Sequence, residues 1–86
     1  MKLKKDFISR DIGSESLLVP VGGAGFSGLV RGNQTLGAIL TLLKDDTSEE
    51  AVIAAMTRRF DAPGEIIARD VKRALSELRS IGALDE

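Results

Sequence analysis

The side chains able to do chemistry in this 86-residue chain are carboxylates, amines, guanidiniums and hydroxyls, because it contains no histidine, cysteine, tryptophan or tyrosine. That removes imidazole general bases, thiolate nucleophiles, His/Cys zinc sites and any disulfide framework. Carboxylate or lysine chemistry of the glycosidase or kinase type stays open in principle, yet so short a chain has little wall from which to build a substrate cleft. The expectation is a protein with no catalysis, metal or cofactor of its own.

The densest basic series is Arg69, Lys72, Arg73 and Arg79. Arg69 and Arg73 are one helical turn apart, but Glu65, Asp70 and Glu77 share the segment. Two readings therefore stand: a solvated face laced by pairs such as Glu65 with Arg69, or the cationic wall of a binding groove. Arg58 and Arg59 close another helix, where cations suit the negative end of its dipole. Overall, 12 basic residues face 13 acidic ones for a net charge of -1, so the strong field that drives nucleic-acid binding is missing. Gly22, Gly23, Gly25 and Gly28 invite a phosphate-loop reading. They lead into a strand instead of a helix N-terminus, and no Lys-Ser/Thr pair follows, so they read as an inter-strand loop.

The elements that must position these residues divide the chain by type. Its first third is strand-like and the rest helical, which predicts an α+β domain with helices on one face of a small antiparallel sheet. Phe7 to Ile12 forms one strand, Gly13-Ser14-Glu15 a turn, and Leu17 to Val21 a nearly unbroken apolar strand suited to the sheet centre. Pro20 must end that strand, having no amide to donate. Phe26 to Arg31 is the third strand. Helix one follows Asn33 as N-cap, with Leu36, Ile39, Leu40 and Leu43 on its inner face. Helix two opens with a capping box in which Thr47 caps and Glu50 reaches back, and buries Val52, Ile53, Met56 and Phe60. Helix three starts near Pro63, carries Ile66, Ile67, Val71, Ala74, Leu75, Leu78 and Ile81 inward, and stops at Gly82. One domain spans residues 1–86, since this length cannot be divided into two cores. With no signal-like or spanning segment in the sequence, a cytoplasmic location without membrane contact is expected.

The third strand supplies the other candidate site. It carries one charge, Arg31, at its end and no proline, whereas exposed edges are usually blunted by such residues. By alternation Phe26 and Val30 face the helices while Leu29 and Arg31 face outward, leaving an edge able to accept an added strand.

Three stretches give the sequence a family likeness: Leu17-Leu18-Val19-Pro20-Val21-Gly22, Phe26 through Thr35, and Asp70 through Leu84, with the acidic helix-two start Asp46-Thr47-Ser48-Glu49-Glu50 between the last two. Their order and spacing resemble the PqqD family, the small recognition elements that serve ribosomally made, post-translationally modified peptides. Gly32 and Gln34 depart from it, standing where leucine and an acidic residue are common. The resemblance implies a winged-helix-like fold of three antiparallel strands followed by three helices. It further implies a non-catalytic peptide chaperone, which binds the leader of a precursor peptide as an extra strand and delivers it to a modifying enzyme, often a radical S-adenosylmethionine enzyme. Carried onto this chain, it makes Ser27, Gly28, Leu29, Val30 and Arg31 the pairing strand. Arg69, Lys72, Arg73, Leu75 and Arg79 then belong to the opposite wall, offering apolar contact and cations for acidic leader residues.

Two other classes compete with this expectation. A winged-helix DNA-binding protein needs a basic recognition helix, but residues 44–61 hold three basic and five acidic groups, and residues 62–86 four and five. A structural dimerisation module would pair the same free edge with a second copy, so the expected state is monomer or weak homodimer.

Overall fold

Short strand-like runs in the first third and a 3.6-residue apolar period thereafter become a sheet backed by helices. In a computed structural model, which describes residues 1–21 and 30–86, the order is β1 (Lys2–Leu3), β2 (Phe7–Ile12), β3 (Glu15–Pro20), β4 (Val30–Gly32), α1 (Gln34–Leu42), α2 (Glu49–Arg59), α3 (Gly64–Ser80) and β5 (Leu84–Asp85). The expected α+β fold is present, with β2-β3-β4 antiparallel and β3 central. Gly13, at φ 60°, and Ser14 join β2 to β3. A glycine at positive φ followed by a residue at negative φ is the arrangement of a type II′ hairpin turn. Pro20 ends β3 opposite Phe7. The glycine loop and the expected strand start at Phe26 lie outside the described residues, as do Ser27, Gly28 and Leu29.

Helix α1 is capped as expected, the Asn33 side chain accepting from the amides of Thr35 and Leu36 at 3.1 and 3.2 Å. The helix packs across β2 and β3, and Gly37 is what lets it come so close. A Cβ there would collide with the hydroxyl of Ser16, which is buried and donates to the Asp11 carboxylate at 3.0 Å. At α2 the cap is Ser48, not Thr47, and its hydroxyl accepts from the Ala51 amide at 3.1 Å. The reason lies outside the helix: the Thr47 amide donates to the Met1 carbonyl, and the Thr47 carbonyl accepts from the Met1 amine. With Ser48 as cap, the third helical position is Ala51, and no capping box with Glu50 forms.

Helix α3 ends in a Schellman motif, with Gly82 at φ 75°, its amide on the Arg79 carbonyl and the Ala83 amide on the Leu78 carbonyl. Leu18, Ile39, Leu40, Leu43, Val52, Met56, Val71, Leu75 and Leu78 fill the centre of the core. Ile66, expected inside, is 40% exposed in the first turn of α3. The short pair β1–β5, unforeseen in the sequence, places Lys2 opposite Asp85 and Leu3 opposite Leu84. The Met1 amine also donates to the Asp46 carboxylate, a hydrogen bond that holds this carboxyl below its ordinary range. Among the described residues no helix is long and apolar enough to cross a membrane.

Candidate functional site

Which backbone groups the sheet leaves open follows from the register. A two-residue hairpin turn makes the flanking pair Ile12–Glu15 hydrogen-bonded, so bonded and non-bonded pairs alternate back along the strands. Arg10–Leu17 and Ile8–Val19 are then bonded pairs, whereas Ser16, Leu18 and Pro20 turn their backbone groups away from β2. Two local facts fit this phase: Pro20 has no amide to offer β2, and the amide of its partner Phe7 donates instead to the Lys4 carbonyl at 3.1 Å. On β4, Val30 faces Leu18 and Gly32 faces Ser16, so both spend their amides on β3. Arg31, opposite Leu17, aims its amide and carbonyl away from β3, at the side of β4 where no strand pairs among the described residues.

Beside this edge runs a groove whose other wall is α3. One part, about 290 Å³, is lined by Arg31, Asn33, Asp70, Arg73 and Glu77 among others. The next, about 230 Å³, is lined by Val30, Leu78 and Ile81, and the two parts share Leu36, Ala74 and Glu77. The first part mixes cations and carboxylates; the second is mainly apolar. No ion pair within 4.0 Å ties down Arg31 or Arg73 among the described residues. Larger depressions lie elsewhere, about 440 Å³ at the hairpin end beside Asp11, Glu15 and Arg59, and about 660 Å³ among Lys2, Lys4, Lys5 and Lys44. Neither contains a residue of β4.

On the opposite sheet edge, β2, the antiparallel self-pairing that would set Ile8 against Ile12 also sets Arg10 against Arg10, and like charges directly opposite are destabilising.

The sequence-derived candidates fall into distinct places. Val30, Arg31 and Arg73 line the groove, Val30 half-buried against the core and the two arginines exposed. Arg69 and Lys72 are exposed on α3 but are absent from both linings. At about 100° of rotation per residue, Lys72 and Arg79 fall on the side of α3 opposite Ala74, Glu77 and Ile81. Arg79 instead pairs with Glu86 at 3.0 Å. Leu75, assigned from sequence to the groove, is fully buried in the core, as are Val71 and Leu78 save for the edge Leu78 lends to the groove floor. The expected Glu65–Arg69 pair does not form among the described ion pairs; exposed pairs of this kind contribute only about 0–1 kcal/mol.

Sequence reasoning passed over Asn33, Leu36, Asp70, Ala74 and Glu77. Asp70, Arg73, Ala74, Glu77 and Ile81 recur at the spacing of one helix face, and that recurrence is the signal that could have found most of them. Among the described residues no group of three or more His, Cys, Asp or Glu is placed to hold a metal ion.

A family model described as coenzyme PQQ synthesis protein D (PqqD) matches residues 16–84, and the chain belongs to that family. A solved structure of TbiB1 in complex with the TbiA(beta) leader peptide aligns with a TM-score of 0.75 and 19% identity, covering 99% of this chain and 100% of that one. At that identity the likeness shows a shared fold. Comparison with curated protein sequences returns no match.

Proposed function

From membership of the PqqD family as premise, we propose that this protein is a non-catalytic peptide chaperone. It captures the leader of a ribosomally made precursor as an added strand on β4 and delivers the precursor to a modifying enzyme, a radical S-adenosylmethionine enzyme being the expected class. The observation that carries this reading is the outward-facing amide and carbonyl of Arg31 above a groove walled by α3. An extended peptide completes that ladder with main-chain bonds, and its side chains alternate between the groove and solvent. The mixed lining suits a peptide carrying both apolar and charged residues. The solved complex of TbiB1 with a leader peptide, similar in fold, supports the same reading.

Delivery acts by effective concentration: holding enzyme and precursor together speeds the reaction without new chemistry. The test is turnover of the modifying enzyme with and without this protein, on full-length and leaderless precursor at low concentration. Stimulation of the full-length substrate alone, fading at saturation, is the expected result. Equal stimulation of both substrates would mean direct activation of the enzyme and would end the delivery model. A DNA gel shift that weakens with salt would point to the nucleic-acid alternative, and concentration-dependent sedimentation to the dimerisation module.

A further inference from the structure

Beyond the polar part of the groove, past the start of α1, lies a separate pocket of about 120 Å³. Its floor is Met56, Ile67 and Val71, all buried, and its rim is Phe60, Ala62 and Ile66. Thr35 and Asp70 line both this pocket and the groove, so a chain leaving one enters the other. Ile66 is one of the few large apolar side chains left exposed, at 40%, and it stands at the mouth. The Arg59 guanidinium lies over the Phe60 ring, 5.9 Å from its centroid.

We infer that this pocket is a specificity subsite that takes one aliphatic side chain of the bound peptide, upstream of the segment paired with β4. The inference rests on the strand-addition reading above. Size and lining set the class of side chain: about 120 Å³ over Met56, Ile67 and Val71 gives room for one side chain of medium size, and suits leucine, isoleucine, valine or methionine. Position sets the spacing. From Arg73 to Ile67 is six residues of α3, a rise of about 9 Å at about 1.5 Å per residue. An extended peptide covers that in about three residues. Polarity follows from β4, which runs from Val30 toward the start of α1. A strand added antiparallel, like every other pairing in this sheet, runs the other way and passes the pocket first. The recognised pattern is therefore an aliphatic residue about three positions N-terminal to the residue that lies beside Arg73 and Arg31.

The probe is a displayed library of random 12-residue peptides selected on the immobilised full chain, followed by titration of the best binder and its variants. Selected peptides should share an aliphatic residue at one fixed position, and replacing it by alanine should weaken binding at least about 10-fold, as expected for removing a few buried methylenes. In Ala62→Phe, which fills the pocket from its exposed rim, that same replacement should cost less than about 2-fold. Ile66→Asp, also exposed, should lower affinity for the aliphatic peptide while leaving its alanine version unchanged. Selected peptides without an aliphatic preference, or an undiminished loss in Ala62→Phe, would overturn the subsite while leaving strand addition intact. Selected peptides that bind Arg31→Pro as tightly as Arg31→Ala, or no selected peptides at all, would overturn strand addition and the subsite with it.

Discussion

Replacing Arg31 by proline should separate peptide capture from folding. The register turns the Arg31 amide away from β3 and leaves the β3–β4 ladder to Val30 and Gly32. Proline is tolerated on an edge strand where its missing N–H would have faced outward, so the sheet should persist. What is lost is one donor to the incoming peptide, worth about 0.5–1.5 kcal/mol net, together with the guanidinium, whose exposed pairing adds up to about 1 kcal/mol. Arg31→Ala removes only the charge and is the necessary reference. At about 1.4 kcal/mol per tenfold, Arg31→Ala should weaken binding of the cognate leader up to about 5-fold, and Arg31→Pro a further 2- to 12-fold or so. Fluorescence anisotropy with a labelled leader measures both. Circular dichroism melting should show Arg31→Pro within about 4–8 °C of wild type, the shift that about 1 kcal/mol produces in a domain of this size. Equal affinities for the two variants, in folded protein, would refute the derived ladder phase. Val30→Pro makes the complementary case, since it cuts the internal ladder and should lower the melting temperature more than Arg31→Pro does.

Other substitutions test the rest of the architecture. Gly37→Ala should destabilise, because overpacking against Ser16 at about 1–3 kcal/mol exceeds the helix-propensity gain of about 1 kcal/mol; urea unfolding should show most of that cost disappearing in a Ser16→Gly background. Leu75→Ala should cost about 2–5 kcal/mol of stability, read by urea unfolding, with leader affinity of the folded protein unchanged. Arg73→Ala should flatten the salt dependence of leader binding, while Lys72→Ala leaves the slope of a salt titration as it is. Asp46→Asn should be less stable than wild type at pH 7. Because the folded carboxyl lies below its unfolded value, that difference is present above the ordinary carboxylate range and should close as the pH falls below about 4, as followed by urea midpoints across pH.

The hairpin and three helices were legible because each carries a local signal: Gly13 for the turn, Asn33 for the α1 cap, Gly82 for the end of α3. Thr47 and Ser48 show the limit of such signals. Both can cap, and the choice fell to backbone bonds with Met1, a partner distant in sequence. The pair β1–β5 has two residues per strand, too few for any periodicity to register. On α3 the sequence marked an amphipathic helix but not a three-way division among core, groove and solvent. Leu75 therefore seemed available to a ligand although it belongs to the core, and Ala74 and Glu77 seemed unremarkable although they line the groove. Ile66 continues the apolar pattern of α3, yet at about 100° of rotation per residue it falls on the side of Asp70, Arg73 and Glu77 and not on the side of Ile67, Val71, Leu75 and Leu78 that the core covers.

The β1–β5 ladder carries a consequence for the order in which the molecule assembles. The hairpin and the helices are built from contacts between near neighbours, which form fast. Pairing Leu3 with Leu84 closes the loop from residue 3 to residue 84, a contact of very high sequence separation, so this step should come late in refolding. It also brings Leu84 over the core, where it is 7% exposed. Transient opening of the clasp should thus be the first rung of unfolding. Amides of Leu3 and Lys4, bonded to the Leu43 and Ala83 carbonyls, should exchange with solvent hydrogen well before those in the middle of α3.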